Sequence, residues 1–235
     1  MKLFHLLLSS SLLVSQLLAD EAKSPFNGKD LTGWEVKKEG DHTSKWTVGT
    51  AKQSAVNPEQ LEVTPGGHEL INAATGHGTS TDFFTTEKFG DLHLEIELMV
   101  PKGSNSGVYI MGEYEVQVLD SYGKKDSEMG AGDIGAIYGA VVPKVNASKA
   151  PGEWQKFVID FRAPKFDAAG KKTANAVFVR VELNGKLLHE NVEMLGGQTP
   201  GGVTGQEHAI GPIMLQGNHG AVAYRNIKVT PLAAK

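Results

Sequence analysis

The 235-residue chain contains no cysteine. Disulfides, a thiolate nucleophile and a lipid-modified cysteine anchor are therefore excluded. Basic charge is also short: Lys and Arg number 23 against 27 Asp and Glu, a net charge of −4, with both signs scattered along the chain. A nucleic-acid or anionic-membrane partner calls for a basic patch, and the sequence offers none. No long segment shows apolar residues at three- and four-residue spacing behind a capping residue, so helices are not expected. A Gly-x-Ser-x-Gly elbow for a serine nucleophile is missing too. Gly130-Ala-Gly-Asp-Ile-Gly135 imitates a dinucleotide fingerprint but lacks the preceding strand and following helix, which makes it a loop. No cofactor is expected.

Long apolar runs are equally scarce. Leu3 to Val14, behind Lys2, is a short run diluted by serines, and Leu17-Leu18-Ala19 supplies a small residue for cleavage. That layout is a secretory signal peptide over residues 1–19, too short and too quickly polar to anchor in a bilayer. The expected location is secreted or periplasmic, without membrane insertion.

What the chain does have is short strands. Leu92-His-Leu-Glu-Ile-Glu-Leu98 alternates strictly, with the apolar residues on one face and His93, Glu95 and Glu97 on the other. Val177 to Leu188 carries Asn184-Gly185 between two strands, the strongest short hairpin signal. Further strands are expected at Trp46–Val48, Gln60–Val63, Gly107–Met111, Tyr114–Leu119, Trp154–Arg162, Ile213–Gln216 and Val222–Thr230, separated by turn-forming clusters and helped by 28 glycines. Three longer loops, Tyr122–Ile137, Gly139–Gly152 and Gly196–Gly211, are placed to border a site. The fold class is all-β, one domain over residues 25–232 made of two antiparallel sheets packed face to face. Trp34, Trp46 and Trp154 are read as core or sealing residues. Tyr114-Glu-Val-Gln-Val-Leu-Asp120 gives one dry face and a second face on which Glu115 and Gln117 stand side by side.

Seven motifs in series then become informative. They are Phe26-Asn-Gly-Lys-Asp-Leu-Thr-Gly-Trp34, Asn105-Ser-Gly-Val-Tyr109, Tyr114-Glu-Val-Gln-Val-Leu-Asp120, Pro151-Gly-Glu-Trp154, Leu183-Asn-Gly185, Leu215-Gln-Gly-Asn-His-Gly220 and Tyr224-Arg-Asn-Ile227. Together, from about Pro25 to about Pro231, the chain resembles the 3-keto-disaccharide hydrolase domain family. The resemblance implies a concanavalin-like jelly roll in an exported bacterial protein. It also implies cleavage of the glycosidic bond of a sugar oxidised to a ketone at carbon 3. Where relatives often carry arginine before the Tyr-Glu-Val-Gln strand, this chain has Met111-Gly112-Glu113. A cationic contact to substrate is then either missing or supplied by Arg225.

A 3-ketone acidifies the proton on carbon 2, so the chemistry needs a base, a donor for the enolate oxygen and an acid near the leaving oxygen. Glu115, His219 and Asp120 are the candidate catalytic residues. Their ordinary readings are a solvated strand carboxylate, a turn histidine and a strand-end turn former. Asn105, Tyr109, Gln117, Tyr138, Gln216 and Arg225 are the candidate substrate contacts, against sheet packing, turn formation or an ion pair with Glu115. Glu97 would serve as a partner carboxylate only if its strand lay in the same groove; otherwise it is wet. His208 and His219 match no metal-ligand spacing, and no metal is expected. A small carbohydrate is the expected partner. The competing function is a non-catalytic carbohydrate-binding module, because the same fold hosts both.

Overall fold

The computed structural model describes residues 21–38, 40 and 42–233; the expected leader at 1–19 lies outside them. The strands, in chain order, are β1 Trp34–Val36, β2 Trp46–Gln53, β3 Leu61–Asn72, β4 Phe83–Thr85, β5 Leu92–Met99, β6 Asn105–Ile110 and β7 Tyr114–Leu119. There follow β8 Gln155–Arg162, β9 Lys165–Phe166, β10 Lys172–Ala174, β11 Val177–Leu183, β12 Lys186–Glu193, β13 Met214–Leu215 and β14 Val222–Pro231. Among the described residues the only helical element is one 3₁₀ turn at Asp126–Glu128.

The strands form a seven-stranded sheet in the order β12-β11-β8-β5-β14-β3-β2 and a five-stranded sheet in the order β1-β4-β13-β6-β7, all pairs antiparallel. The result is a jelly-roll sandwich. Periodicity explains its interior. Leu92, Leu94, Ile96 and Leu98 of β5 are fully buried, each contributing about 1.5–3 kcal/mol by leaving water. From the facing sheet, Val108, Ile110, Tyr114, Val116 and Val118 complete the same core. Aromatic pairs lock the two layers: Tyr114 of β7 packs 5.1 Å from Phe161 of β8. Phe83 of β4 is stacked between Trp34 at 5.3 Å and Trp46 of β2 at 5.2 Å.

Turn chemistry sets the register. Asn184 and Gly185 both have positive φ, 51° and 76°, closing the expected β11–β12 hairpin. Met111 and Gly112, at 55° and 70°, do the same between β6 and β7. Two segments depart from expectation. β3 runs on to Asn72 through Pro65-Gly66-Gly67, because that stretch bulges out where β2 shifts register between Gly49 and Thr50. The short β9–β10 ribbon has too few residues to show a period.

Candidate active site

The site forms on the outer face of the five-stranded sheet. In the β6–β7 register Tyr109 lies opposite Glu115 and Gly107 opposite Gln117, so these positions share one face while Val108, Val116 and Val118 share the other. Gly107 is needed for room: a Cβ there would stand 2.1 Å from Glu115 Oε1. β7 is the sheet edge, yet its backbone is not open. The Glu115 N–H donates to Thr199 Oγ1 (2.9 Å), which in turn donates to the Glu113 carbonyl (3.0 Å). Tyr138 N donates to the Glu115 carbonyl (3.1 Å) and Gln117 N to that of Ala136 (2.9 Å).

Those segments roof the polar face. The polar face is therefore dry, with Glu115 only 2% and Gln117 3% exposed, which excludes the ordinary reading of Glu115 as a solvated strand carboxylate. What remains open is a cavity of about 190 Å³ lined by Asn105, Tyr109, Glu115, Gln117, Tyr138, Pro200, Gly201, Gln216 and His219. It is smaller than a drug-sized pocket and suits one sugar ring. Gly201 lets the roof sit close, since a Cβ there would meet Tyr109 Oη at 2.7 Å.

Electrostatics single out Glu115. Tyr109 Oη donates to Glu115 Oε2 (2.8 Å), and Gln216 Nε2 donates to Tyr109 Oη (3.4 Å). Burial pushes the Glu115 carboxyl up to about 8; the Tyr109 hydrogen bond opposes the rise and the nearby charge of Asp82 adds to it. Burial, with the neighbouring Glu115 charge, also drives Tyr109 far above the ordinary phenol range, so it stays a donor. Asp82 itself is buried, accepts from Gly217 N (2.9 Å) and Asn218 N (3.3 Å), and lies 3.6 Å from Lys37 Nζ. Lys37 Nζ also donates to the carbonyl of roof residue Gly201 (3.0 Å).

Two buried acceptors in the cavity wall lack a partner: Asn105 Oδ1 and Gln117 Oε1. The Gln117 amide nitrogen is committed to the Gly132 carbonyl (3.1 Å), which fixes Oε1 as the atom left over. An unsatisfied buried oxygen is costly, so both favour a ligand rich in hydroxyl donors. The Gly132 loop is firm because Asp133 accepts from Lys124 Nζ (2.6 Å), Gly130 N (2.7 Å) and Ser121 Oγ (3.0 Å). Burial alone would raise Asp133, but these bonds outweigh it and hold the carboxyl below its usual range.

Seven of the nine sequence-selected residues thus surround one cavity: Glu115, His219, Asn105, Tyr109, Gln117, Tyr138 and Gln216. The half-buried His219 ring bonds Asn218 Oδ1 and meets His77 edge-on at 4.6 Å. Two selected residues are not brought there. Asp120 follows the end of β7 and serves as a turn acceptor for Gly103 N (2.9 Å) and Tyr122 N (3.3 Å). Arg225 lies on the other sheet, donating to Glu97 Oε2 (2.7 Å) with its guanidinium 4.0 Å above the Trp154 ring. It neither clamps the cavity nor pairs with Glu115, and Glu97 is no partner carboxylate. Trp154 seals a small satellite cluster as expected. His208 sits apart from His219, bonded to Thr204 Oγ1 (3.0 Å). Pro200 and Gly201 come from the Gly196–Gly211 loop expected to border a site, whereas Asp82 and Lys37 were missed, since they carry no local motif and converge only through tertiary contact.

A larger hollow, about 710 Å³, lies behind the 203–212 loop among Phe84, Met111, Val203, Ile210 and Pro212. It holds neither unpartnered acceptor and does not include Glu115.

Residues 21–230 match the family described as 3-keto-alpha-glucoside-1,2-lyase-like domain. A curated Bacteroides thetaiotaomicron protein named 3-keto-disaccharide hydrolase is 27% identical over 163 residues, 59% of this chain and 51% of that protein. The chain thus spans about half the length of the curated relative it matches. A solved Parabacteroides distasonis structure, described as a candidate glycosyl hydrolase, superposes with a TM-score of 0.67 at 29% identity, covering 90% of this chain and 84% of that one. A second structure from the same organism, at TM-score 0.58 and 19% identity, covers 90% and 94% and shares the fold.

Proposed function

The chain belongs to the 3-keto-alpha-glucoside-1,2-lyase-like domain family, and from that premise we propose an exported hydrolase that cleaves the glycosidic bonds of 3-keto-glycosides, 3-keto-disaccharides among them. The observation that carries this reading is a buried carboxyl with no Lys or Arg bonded to it among the described residues, raised to about 8, facing a ring-sized cavity with two unpartnered acceptors. Export rests on the 1–19 leader pattern alone.

In the proposed mechanism, sugar hydroxyls donate to Asn105 Oδ1 and Gln117 Oε1 and fix the ring. Ionised Glu115 removes the proton from carbon 2, and the electron pair of that C–H bond forms the enolate, with charge on the carbon-3 oxygen. Collapse of the enolate makes a double bond between carbons 1 and 2 and breaks the bond from carbon 1 to the leaving oxygen. A ring nitrogen of His219, on the same cavity wall, gives its proton to that oxygen as it departs. Water then adds across the double bond, hydroxyl to carbon 1 and proton to carbon 2, so that the sum is hydrolysis. A raised pKa makes Glu115 a stronger base once ionised, which proton abstraction beside a ketone requires.

The test is turnover of a chromogenic 3-keto-glucoside and of 3-keto-trehalose by the wild type, Glu115→Gln and His219→Ala. Loss in both variants is expected. Turnover unchanged in both would remove the site assignment. Saturable binding of an unoxidised oligosaccharide with no product from any 3-keto-glycoside would leave a binding module instead.

A further inference from the structure

A second hollow, about 400 Å³, abuts the polar cavity. The two share Tyr138 and Pro200 as a common wall, so a ligand held by Glu115 and Gln117 can extend over that wall. Their chemistry differs. The second hollow is lined by Val141, Val192, Met194 and Leu195. Leu195 in the second hollow is 78% exposed and Tyr138 on the shared wall 37%, large side chains standing in water.

Several polar groups around this hollow are already engaged. Thr199 Oγ1 is held between Glu115 N and the Glu113 carbonyl. The Gln198 amide donates to the Gly205 carbonyl, and Glu193 Oε1 accepts from Asn175 Nδ2 (2.8 Å). None of the unpartnered buried acceptors belongs to this hollow, whereas two belong to its neighbour. A second sugar would bring several hydroxyls to a surface with little to offer them. An alkyl or aryl group would bury itself against Val141, Val192 and Leu195 and cover exposed apolar area.

We propose that this hollow is the subsite for the leaving group, and that the leaving group is apolar, an alkyl or aryl alcohol rather than a second sugar. The inference rests on the reaction proposed above, with the oxidised ring in the polar cavity and its carbon-1 substituent crossing the Tyr138–Pro200 wall. Leu195 and Val192 then set specificity for the aglycone.

The experiment compares kcat/KM for three 3-keto-glucosides of one anomer: the methyl glycoside, the cyclohexylmethyl glycoside and the disaccharide 3-keto-trehalose. Methoxide and cyclohexylmethoxide are comparable leaving groups, so their ratio reports binding in the subsite. The cyclohexylmethyl compound is expected to exceed the methyl one roughly 10–100-fold, the discrimination apolar contacts supply, and to exceed 3-keto-trehalose. Leu195→Asp, at an exposed loop position, is expected to reduce the cyclohexylmethyl-to-methyl ratio at least about fivefold, half or more of one such contact. A ratio near one, a ratio untouched by Leu195→Asp, or a preference for 3-keto-trehalose overturns the subsite and leaves the reaction standing. If no 3-keto-glycoside is turned over, the reaction itself fails. Calorimetry with unoxidised cyclohexylmethyl glucoside then decides the subsite: binding weakened by Leu195→Asp supports it, and absent or unchanged binding overturns it.

Discussion

The two outer faces of the sandwich carry the same residue types to opposite ends. On the seven-stranded sheet Glu95, Glu97 and Asp160 each meet a cation. Lys156 bonds Glu95, Arg225 and Asn226 bond Glu97 (2.7 and 2.9 Å), and Arg180 bonds Asp160 (2.9 Å). The Lys156 hydrogen bond outweighs burial at Glu95; at Glu97 burial is the largest influence but the Asn226 and Arg225 bonds overcome it. Both carboxyls fall below their usual range. On the five-stranded sheet Glu115 meets a phenol, a buried neighbouring carboxylate and no cation among the described residues, and rises. A glutamate on a strand is thus held ionised by a cation or pushed toward its neutral form according to what surrounds it.

Substitution is the most forceful way to break this contrast. Glu115→Gln should lower turnover of a 3-keto-glucoside by about 10³, within the range for loss of a general base. Glu97→Gln should leave it within about twofold, as surface changes away from a site do. Equal losses in steady-state kinetics would mean that the two faces do not differ in role. A smaller effect lies in pH. If Glu115 acts as the base, kcat/KM climbs as Glu115 ionises toward about pH 8 and falls again once the acid that protonates the leaving oxygen has lost its own proton. Tyr109→Phe removes the bond that opposes the rise, moving the limb to higher pH. A flat profile from about pH 6 to 9 would deny Glu115 that part.

Stability sharpens the same comparison. The folded Glu115 keeps its proton up to about 8, while the unfolded chain releases it near the ordinary 4.5. Wild-type stability therefore declines between those values. Glu115→Gln should escape the decline and gain a few kcal/mol relative to wild type by about pH 9 in urea titrations. Glu97 has the opposite sign: its contribution is present above the ordinary carboxyl value and fades as pH falls through the depressed one, so the cost of Glu97→Gln should vanish in acid. The smallest effect belongs to Arg225→Lys, which loses the Trp154 stacking and costs about 1 kcal/mol or less with kcat/KM unchanged.

Strands with a clear period were legible from residue order. β5 alternates without a break, and the Asn184-Gly185 and Met111-Gly112 turns fix two hairpins. β3 was half hidden, because Pro65-Gly66-Gly67 reads as a terminator and only pairing with β2 shows a bulge. The period-two rule also sorted the site: positions 115 and 117 share a face, and Asp120 falls out of that phase beyond the last strand residue. Burial of Glu115 was not legible. It depends on Thr199, Pro200 and the 132–138 segment, distant in sequence and rich in the glycine and proline of any surface loop. The role of Asp82 was hidden for a like reason: its stretch reads as a short strand, and nothing marks the carboxylate until Gly217 and Asn218 fold over it.

The middle ring of the Trp34–Phe83–Trp46 stack belongs to the residue that follows Asp82, and the Trp46 indole N–H donates to the Thr81 carbonyl (2.7 Å). Two of the protein's three tryptophans are therefore packed against the strand whose Asp82 holds the turn before His219. Any guest that shifts this turn should alter their emission, giving unlabelled protein an optical report of occupancy.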